Sequence, residues 1–231
     1  MAIAAAADPT PVNDLELGDF FVAPNESMPL SQADSIFFGG SITNNGLADQ
    51  TNVMLTWDVA KDGASLYTES FNLGTVAVGA IDTVDYEGLF PPEEIDWELG
   101  TYTISYTVTA DSIDNNMIDN TAERDFNITE NLWAKEDGSG PFLLGADGVT
   151  RQGVLFDMFN SGDHAAFVQF SAGATDGGSL EGQTVTIRIH STDFGLTPYN
   201  DDNLSTEGQS SYTFTADDQA NSPSIVSVPI L

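Results

Sequence analysis
The chain has 231 residues, 41% of them apolar, with fourteen Phe, six Tyr and three Trp, so it can bury a core and is not a disordered polymer. Five Lys and Arg stand against 36 Asp and Glu, a formal charge of −31, which argues against nucleic acid or anionic lipid as a partner. There is no Cys, hence no disulfide framework, thiolate metal site or Cys nucleophile. No apolar run of about 18 residues is present, so no membrane-spanning helix and no membrane insertion are expected.

The chain opens on Met1-Ala-Ile-Ala-Ala-Ala-Ala7-Asp8, small residues that look like the tail of a signal peptide without its basic start. Residues 1–13 are read as an extended segment. From residue 14 the dominant signal is period-two alternation broken by turns, the mark of half-buried antiparallel strands. Strands are expected at 15–22, 35–43, 52–59, 64–72, 81–86, 101–109 and 122–129. Segment 52–59 places Val53, Leu55, Trp57 and Val59 on one face, and segment 101–109 does the same with Tyr102, Ile104, Tyr106 and Val108. Lys61-Asp62-Gly63 reads as a hairpin turn. Seven such strands suit an immunoglobulin-like β-sandwich over 14–130, and Gly100-Thr101-Tyr102 has the form of a tyrosine corner. Residues 131–141 cluster Gly, Ser and Pro and read as a linker or lead-in. Beyond it, strands are expected at 152–159, 165–172, 183–191, 210–216 and 224–230, with Gly- and Asp-rich loops at 173–182 and 198–209. No helix of twelve residues is expected. The fold class is therefore all-β, two tandem antiparallel sandwiches. The second, 142–231, stops directly after a strand, so further strands are expected to complete it.

Several short motifs occur in order over 14–130: Asp14-Leu-Glu-Leu17, Gly40-Ser-Ile-Thr-Asn-Asn-Gly46, Phe71-Asn-Leu-Gly-Thr-Val76, Gly100-Thr-Tyr-Thr-Ile104 and Asp119-Asn-Thr121. Together they resemble the cell-adhesion-related domain found in bacteria, an immunoglobulin-like module. The junction Phe126-Asn-Ile-Thr-Glu-Asn-Leu-Trp-Ala-Lys-Glu-Asp-Gly138 is similar to one in large type IX-secreted surface proteins. There such a module passes into a jelly-roll-like, galactose-binding-like sandwich, which Tyr212-Thr-Phe-Thr-Ala-Asp-Asp218 also resembles. The resemblance implies a secreted or cell-surface setting and neighbouring domains as partners.

The chemistry-bearing residues are few. His164 and His190 stand alone, without zinc spacing, and no G-x-S-x-G elbow occurs. Acid pairs are uninformative in so acidic a chain, so no catalytic residue is assigned. Calcium takes hard oxygens from Asp, Asn and carbonyls, and the loop running from Asp111 to Asn120 is the densest such set. Its candidate ligands are Asp111, Asp114, Asn116 and Asp119; the competing reading is a polar hairpin tip. No cofactor is required, and Ca²⁺ is the one candidate. Trp133, Phe194 and Tyr199 are the aromatics able to serve a sugar platform. Ser35, Thr83 and Ser112 follow Asp and precede an aliphatic residue, a pattern that the resemblance associates with O-glycosylation. The reading these support is a non-catalytic structural or adhesive module meeting glycans or other cell-surface proteins. The alternatives are a carbohydrate-binding accessory module of a secreted enzyme and a fibre subunit assembled by strand exchange. Salt or Ca²⁺ is expected to stabilise the chain by relieving self-repulsion.

Overall fold
The computed structural model describes residues 10–20, 25–92, 95–135, 156, 158, 160–174, 178–192 and 204–230. Two compact units divide the chain. The first holds the described residues up to Lys135 together with Phe156 and Met158; the second begins at Asn160.

The first unit is a sandwich of two sheets. Strands β1 (Leu15–Phe20), β3 (Ile36–Asn44) and β6 (Ile81–Phe90) form one, in the order β1-β3-β6. Strands β2 (Ser27–Pro29), β8 (Thr121–Thr129), β7 (Gly100–Thr109), β4 (Gln50–Lys61) and β5 (Ala64–Val76) form the other, in that order. All pairings are antiparallel except β2 with β8, which run parallel.

The alternation in the sequence explains the core. Leu55, Trp57 and Val59 of β4 lie opposite Val108, Tyr106 and Ile104 of β7, and all six are 0–1% exposed. Each such side chain taken out of water contributes about 1.5–3 kcal/mol. The facing sheet closes on them with Leu15, Leu17, Ile36, Phe38, Ile42, Val84 and Phe90. Phe38 stacks on Trp57 with ring centroids 5.2 Å apart. Both Thr-rich outer faces stay wet, as period two requires. The β4–β5 hairpin turns on Asp62 (φ 50°) and Gly63 (φ 83°), two left-handed residues in a row, as a type I′ turn demands. Seven strands match their expected positions. The addition is β2, a three-residue strand that the alternation does not announce.

Residues 131–135, expected as linker, are bonded into this unit. Ala134 exchanges backbone hydrogen bonds with Ser27, at 3.1 Å and 2.9 Å. Of the strand expected at 152–159, only Phe156 and Met158 are described, and neither lies in a strand.

The second unit contains two two-stranded antiparallel sheets among its described residues. One pairs β9 (Phe167–Ala172) with β12 (Ser224–Pro229); the other pairs β10 (Thr184–Thr192) with β11 (Leu204–Thr213). Phe214, Val226 and Val228 are buried, backed by Phe170, Val185, Ile187 and Tyr212. In β12 the wholly apolar face is the buried one, while Ile225 on the other face is 79% exposed. A short helix α1 (Ala216–Ala220) starts on a capping box, Thr215 with Asp218. The expected loop 198–209 is corrected in its second half: residues 204–209 belong to β11. From Ser205 that stretch is polar, and polar cross-strand pairs replace apolar alternation, as in Arg188 Nε donating to Gln209 Oε1 at 2.7 Å.

Candidate functional site
The loops at one pole of the first sandwich gather most of its polar chemistry. They are 10–14 before β1, 45–49 between β3 and β4, 77–80 between β5 and β6, and 110–120 between β7 and β8. Strand register brings them together, since Leu15 pairs with Asn44, Gln50 with Val76, and Met54 with Thr109.

Three buried side chains brace the pole. Asn44 is fully buried and its amide donates to the carbonyls of Ala48 and Val76, both at 2.9 Å. Gln50 donates to Asn13 Oδ1 at 2.9 Å and to the Ala48 carbonyl at 3.1 Å. Asn120 donates through Nδ2 to Asp114 Oδ2 at 3.1 Å, and its carbonyl accepts from Val108 N–H at 2.8 Å. Loop 45–49 grips the N-terminal segment: Asn45 N–H donates to Asp14 O, and Leu47 and Ala48 N–H both donate to Val12 O. At Gly46 a Cβ would lie 2.6 Å from Val12 O and 2.9 Å from Asp14 N, so the close approach needs glycine.

The four calcium candidates fall into two groups. Asp111 turns to β4, its carboxylate accepting from Thr51 Oγ1 at 2.9 Å and Asn52 Nδ2 at 3.3 Å. Asp114, Asn116 and Asp119 come together. Asp114 accepts from Leu15 N–H at 2.7 Å and from Asn116 N–H at 2.7 Å, and Asn116 Nδ2 donates to Asp119 Oδ2 at 2.6 Å. Asp119 O also accepts from Leu17 N–H at 2.9 Å, so this loop laces to β1.

Two residues join this group that were not among the candidate ligands. Asp14 and Asn120 are 8% and 6% exposed. Asp14 Oδ1, Asp119 Oδ1 and Asn120 Oδ1 are all buried without a hydrogen-bond donor. Burial first, then the charges of Asp114 and Glu16, push the Asp14 carboxyl above its ordinary range, against the lowering effect of the Asn116 amide. Burial likewise pushes Asp119 up, its own backbone amide opposing and Asp14, Glu16 and Asp114 adding repulsion. Among the described residues no three His, Cys, Asp or Glu side chains form a ready-made metal cage.

The other candidates lie elsewhere. Trp133 is half-buried, its ring 4.8 Å from that of Phe156, and Lys135 Nζ sits 5.5 Å over the same Phe156 ring. Phe194 and Tyr199 lie outside the described residues. Ser35, Thr83 and Ser112 are all exposed, just before β3, within β6, and in the 110–120 loop. His190 is exposed on β10, with Nδ1 3.2 Å from Thr206 Oγ1 on the neighbouring strand.

Loop 110–120 also carries apolar side chains outward. Ile113, Met117 and Ile118 are 81%, 68% and 89% exposed, with Leu47 at 62% on the adjacent loop.

The topology defines an immunoglobulin-type sandwich. Tyr102, at the start of β7, donates its hydroxyl to the Glu98 carbonyl at 3.1 Å, and β4 carries the buried Trp57. The pole that holds loop 110–120 is the end that in antibody variable domains bears the binding loops, a likeness of architecture only. No protein-family model matches the chain, and no curated protein matches it. Among solved structures it is similar to the CARDB domain of a Pyrococcus furiosus protein, crystallised in complex with di-metal ions. Identity is 15%, over 56% of this chain and 100% of that one, with a TM-score of 0.34. The solution structure of that domain gives 16% identity, 53% and 98% coverage, and a TM-score of 0.32. Likenesses this distant carry no weight for function.

Proposed function
We propose that the chain is a non-catalytic structural and adhesive module of a secreted bacterial surface protein, and that it adheres through the 110–120 pole. One observation carries this reading. Ile113, Met117 and Ile118 stand out from a loop whose backbone is tied down on two sides, by Asn13 and Leu17 on one and by Thr51 of β4 on the other. A soluble surface this acidic has no folding use for three exposed aliphatic side chains in six residues. Held on a fixed loop with a polar rim, they suit a protein contact. Fixing the loop in advance also spares the ordering cost of binding. The partner this surface favours is a cell-surface protein whose apolar patch has a basic rim, because the charge of −31 steers anionic surfaces away. The motifs at 126–138 support the secreted setting.

The test is attachment of protein-coated beads to bacterial envelope preparations, for the wild type and an Ile113→Ser, Met117→Ser, Ile118→Ser variant. These side chains are exposed, so the variant should fold normally and lose most attachment. Equal attachment of both proteins refutes the reading. A glycan array run alongside separates the carbohydrate-binding alternative, which requires a specific positive on the array.

A further inference from the structure
The interior of the same pole is built wrongly for a protein that stands there alone. Three side-chain oxygens, Asp14 Oδ1, Asp119 Oδ1 and Asn120 Oδ1, are buried with no donor. Two of them belong to residues more than nine-tenths buried. An acceptor removed from water without a partner is destabilising, and more so when charged. The Asn120 amide cannot relieve this by flipping, because its Nδ2 is already held on the Asp114 carboxylate. A flip would set carbonyl oxygen against carboxylate oxygen. No basic side chain answers the acids among the described residues either. Lys61 pairs with Glu98, Arg124 with Glu26, Arg188 with Gln209, and Lys135 lies over Phe156.

We infer that a divalent cation of the Ca²⁺ class binds at this pole through Asp14, Asp119 and Asn120. Two carboxylates and an amide carbonyl are hard oxygen donors, and no His or Cys stands with them. Three protein oxygens leave the remaining positions to water, and a large cation accepts such a set in irregular geometry where Mg²⁺ demands a near-ideal octahedron. Asp114 is not a first choice as ligand, since its oxygens already accept from Leu15, Asn116 and Asn120. It positions Asn120 and joins loop 110–120 to β1. The ligands come from both sides of that seam, Asp14 from the segment before β1 and the other two from the loop before β8. The bound ion would therefore fasten the loop to the strand.

This inference rests on the interior of the pole and not on its adhesive role, and its test is made in free solution. Calorimetric titration of the full chain with CaCl₂ is compared with MgCl₂, for the wild type, Asp14→Asn, Asp119→Asn and Asp111→Asn. The expected result is a Ca²⁺ site in the wild type and Asp111→Asn, weakened at least tenfold in Asp14→Asn and Asp119→Asn. Asp111→Asn controls for diffuse attraction, as it removes the same charge from the same loop. Thermal melts of the wild type in CaCl₂ and NaCl at matched ionic strength keep the test independent of variant folding. Ca²⁺ should raise the first transition further than Na⁺. Equal shifts from the two salts, or equal weakening by Asp111→Asn and Asp119→Asn, overturn the inference.

Discussion
Gly46→Ala isolates the contact between loop 45–49 and the N-terminal segment. Gly46 does not sit in the left-handed region, so its backbone suits alanine. On conformational grounds alone the change would stabilise the fold by about 0.4–1 kcal/mol, through a less flexible unfolded chain. The added methyl, however, meets Val12 O at 2.6 Å and Asp14 N at 2.9 Å, and both are backbone atoms that no rotamer change can move aside. Residues 12–14 must therefore back away. The bonds at stake are Asn45 N–H to Asp14 O (2.8 Å), Leu47 N–H to Val12 O (2.9 Å) and Ala48 N–H to Val12 O (3.1 Å). At about 1 kcal/mol each, their loss costs up to about 3 kcal/mol. The steric term exceeds the entropic one, and the net effect is destabilisation of roughly 2 kcal/mol. Amide hydrogen exchange reads it residue by residue. Protection at Asn45, Leu47 and Ala48 should fall by up to about 30-fold, and core amides such as Leu55 and Ile104, which open only with the whole unit, should lose no more than that. Protection that is unchanged or increased at Leu47 and Ala48 would show that the segment yields freely and that the close approach does not select glycine.

Tyr102→Phe keeps the ring stacked on Phe126 but removes the hydroxyl that donates to the Glu98 carbonyl and accepts its N–H. The expected cost is about 1–2 kcal/mol, read as a lower first transition in calorimetry; an unchanged transition would mean that water replaces the corner at no cost. Alkaline titration offers a second check. Burial, then the hydrogen bond to Glu69, pushes Tyr67 up to about 12, and burial pushes Tyr106 higher still. Both favour the protonated form in the folded state, so they supply stability below the ordinary tyrosine range that is lost as pH rises from about 10 through 12. Tyrosinate absorbance should show these two groups titrating above the ordinary tyrosine range, and their titration within that range while the fold persists contradicts the burial.

The sandwich was legible because one face of β4 is apolar over residues 53–59 and one face of β7 over residues 102–108. Val53, Leu55, Trp57 and Val59 could sit inward in one register only, and a slip by one residue would have buried Asp58. Strand β2 was not legible, since three residues ending in Pro29 cannot display a period. The start of β11 was missed for a different reason: Ser205 and Thr206 pair with Ser191 and His190, Glu207 sits at a bulge, and these residues carry no hydrophobic signal. At the pole, local density of Asp and Asn pointed to loop 110–120 but could not say which side chains turn inward. Asp111 turns to β4 instead. Asp14 lies a hundred residues from Asp114 in the chain, and it is the bonding of Leu15 and Leu17 of β1 to loop 110–120 that brings it alongside. The available signal was positional: Asp14 and Asn120 each stand immediately before a strand, where a polar side chain enters the mouth of the sandwich.

The parallel pairing of β2 with β8 has a mechanical meaning. Ser27–Pro29 belongs to the incoming end of the first unit and Asn127–Thr129 to its outgoing end. Tension applied between those ends drags two parallel strands past each other in opposite directions. Their cross-links are then loaded together in shear, whereas an antiparallel pair pulled from its open end would unzip bond by bond. The links include Asn127 N–H to Glu26 O at 2.8 Å and the Arg124–Glu26 ion pair at 3.2 Å. A strand of three residues adds little to equilibrium stability, yet in this position it sits on the line of force and acts as a clasp.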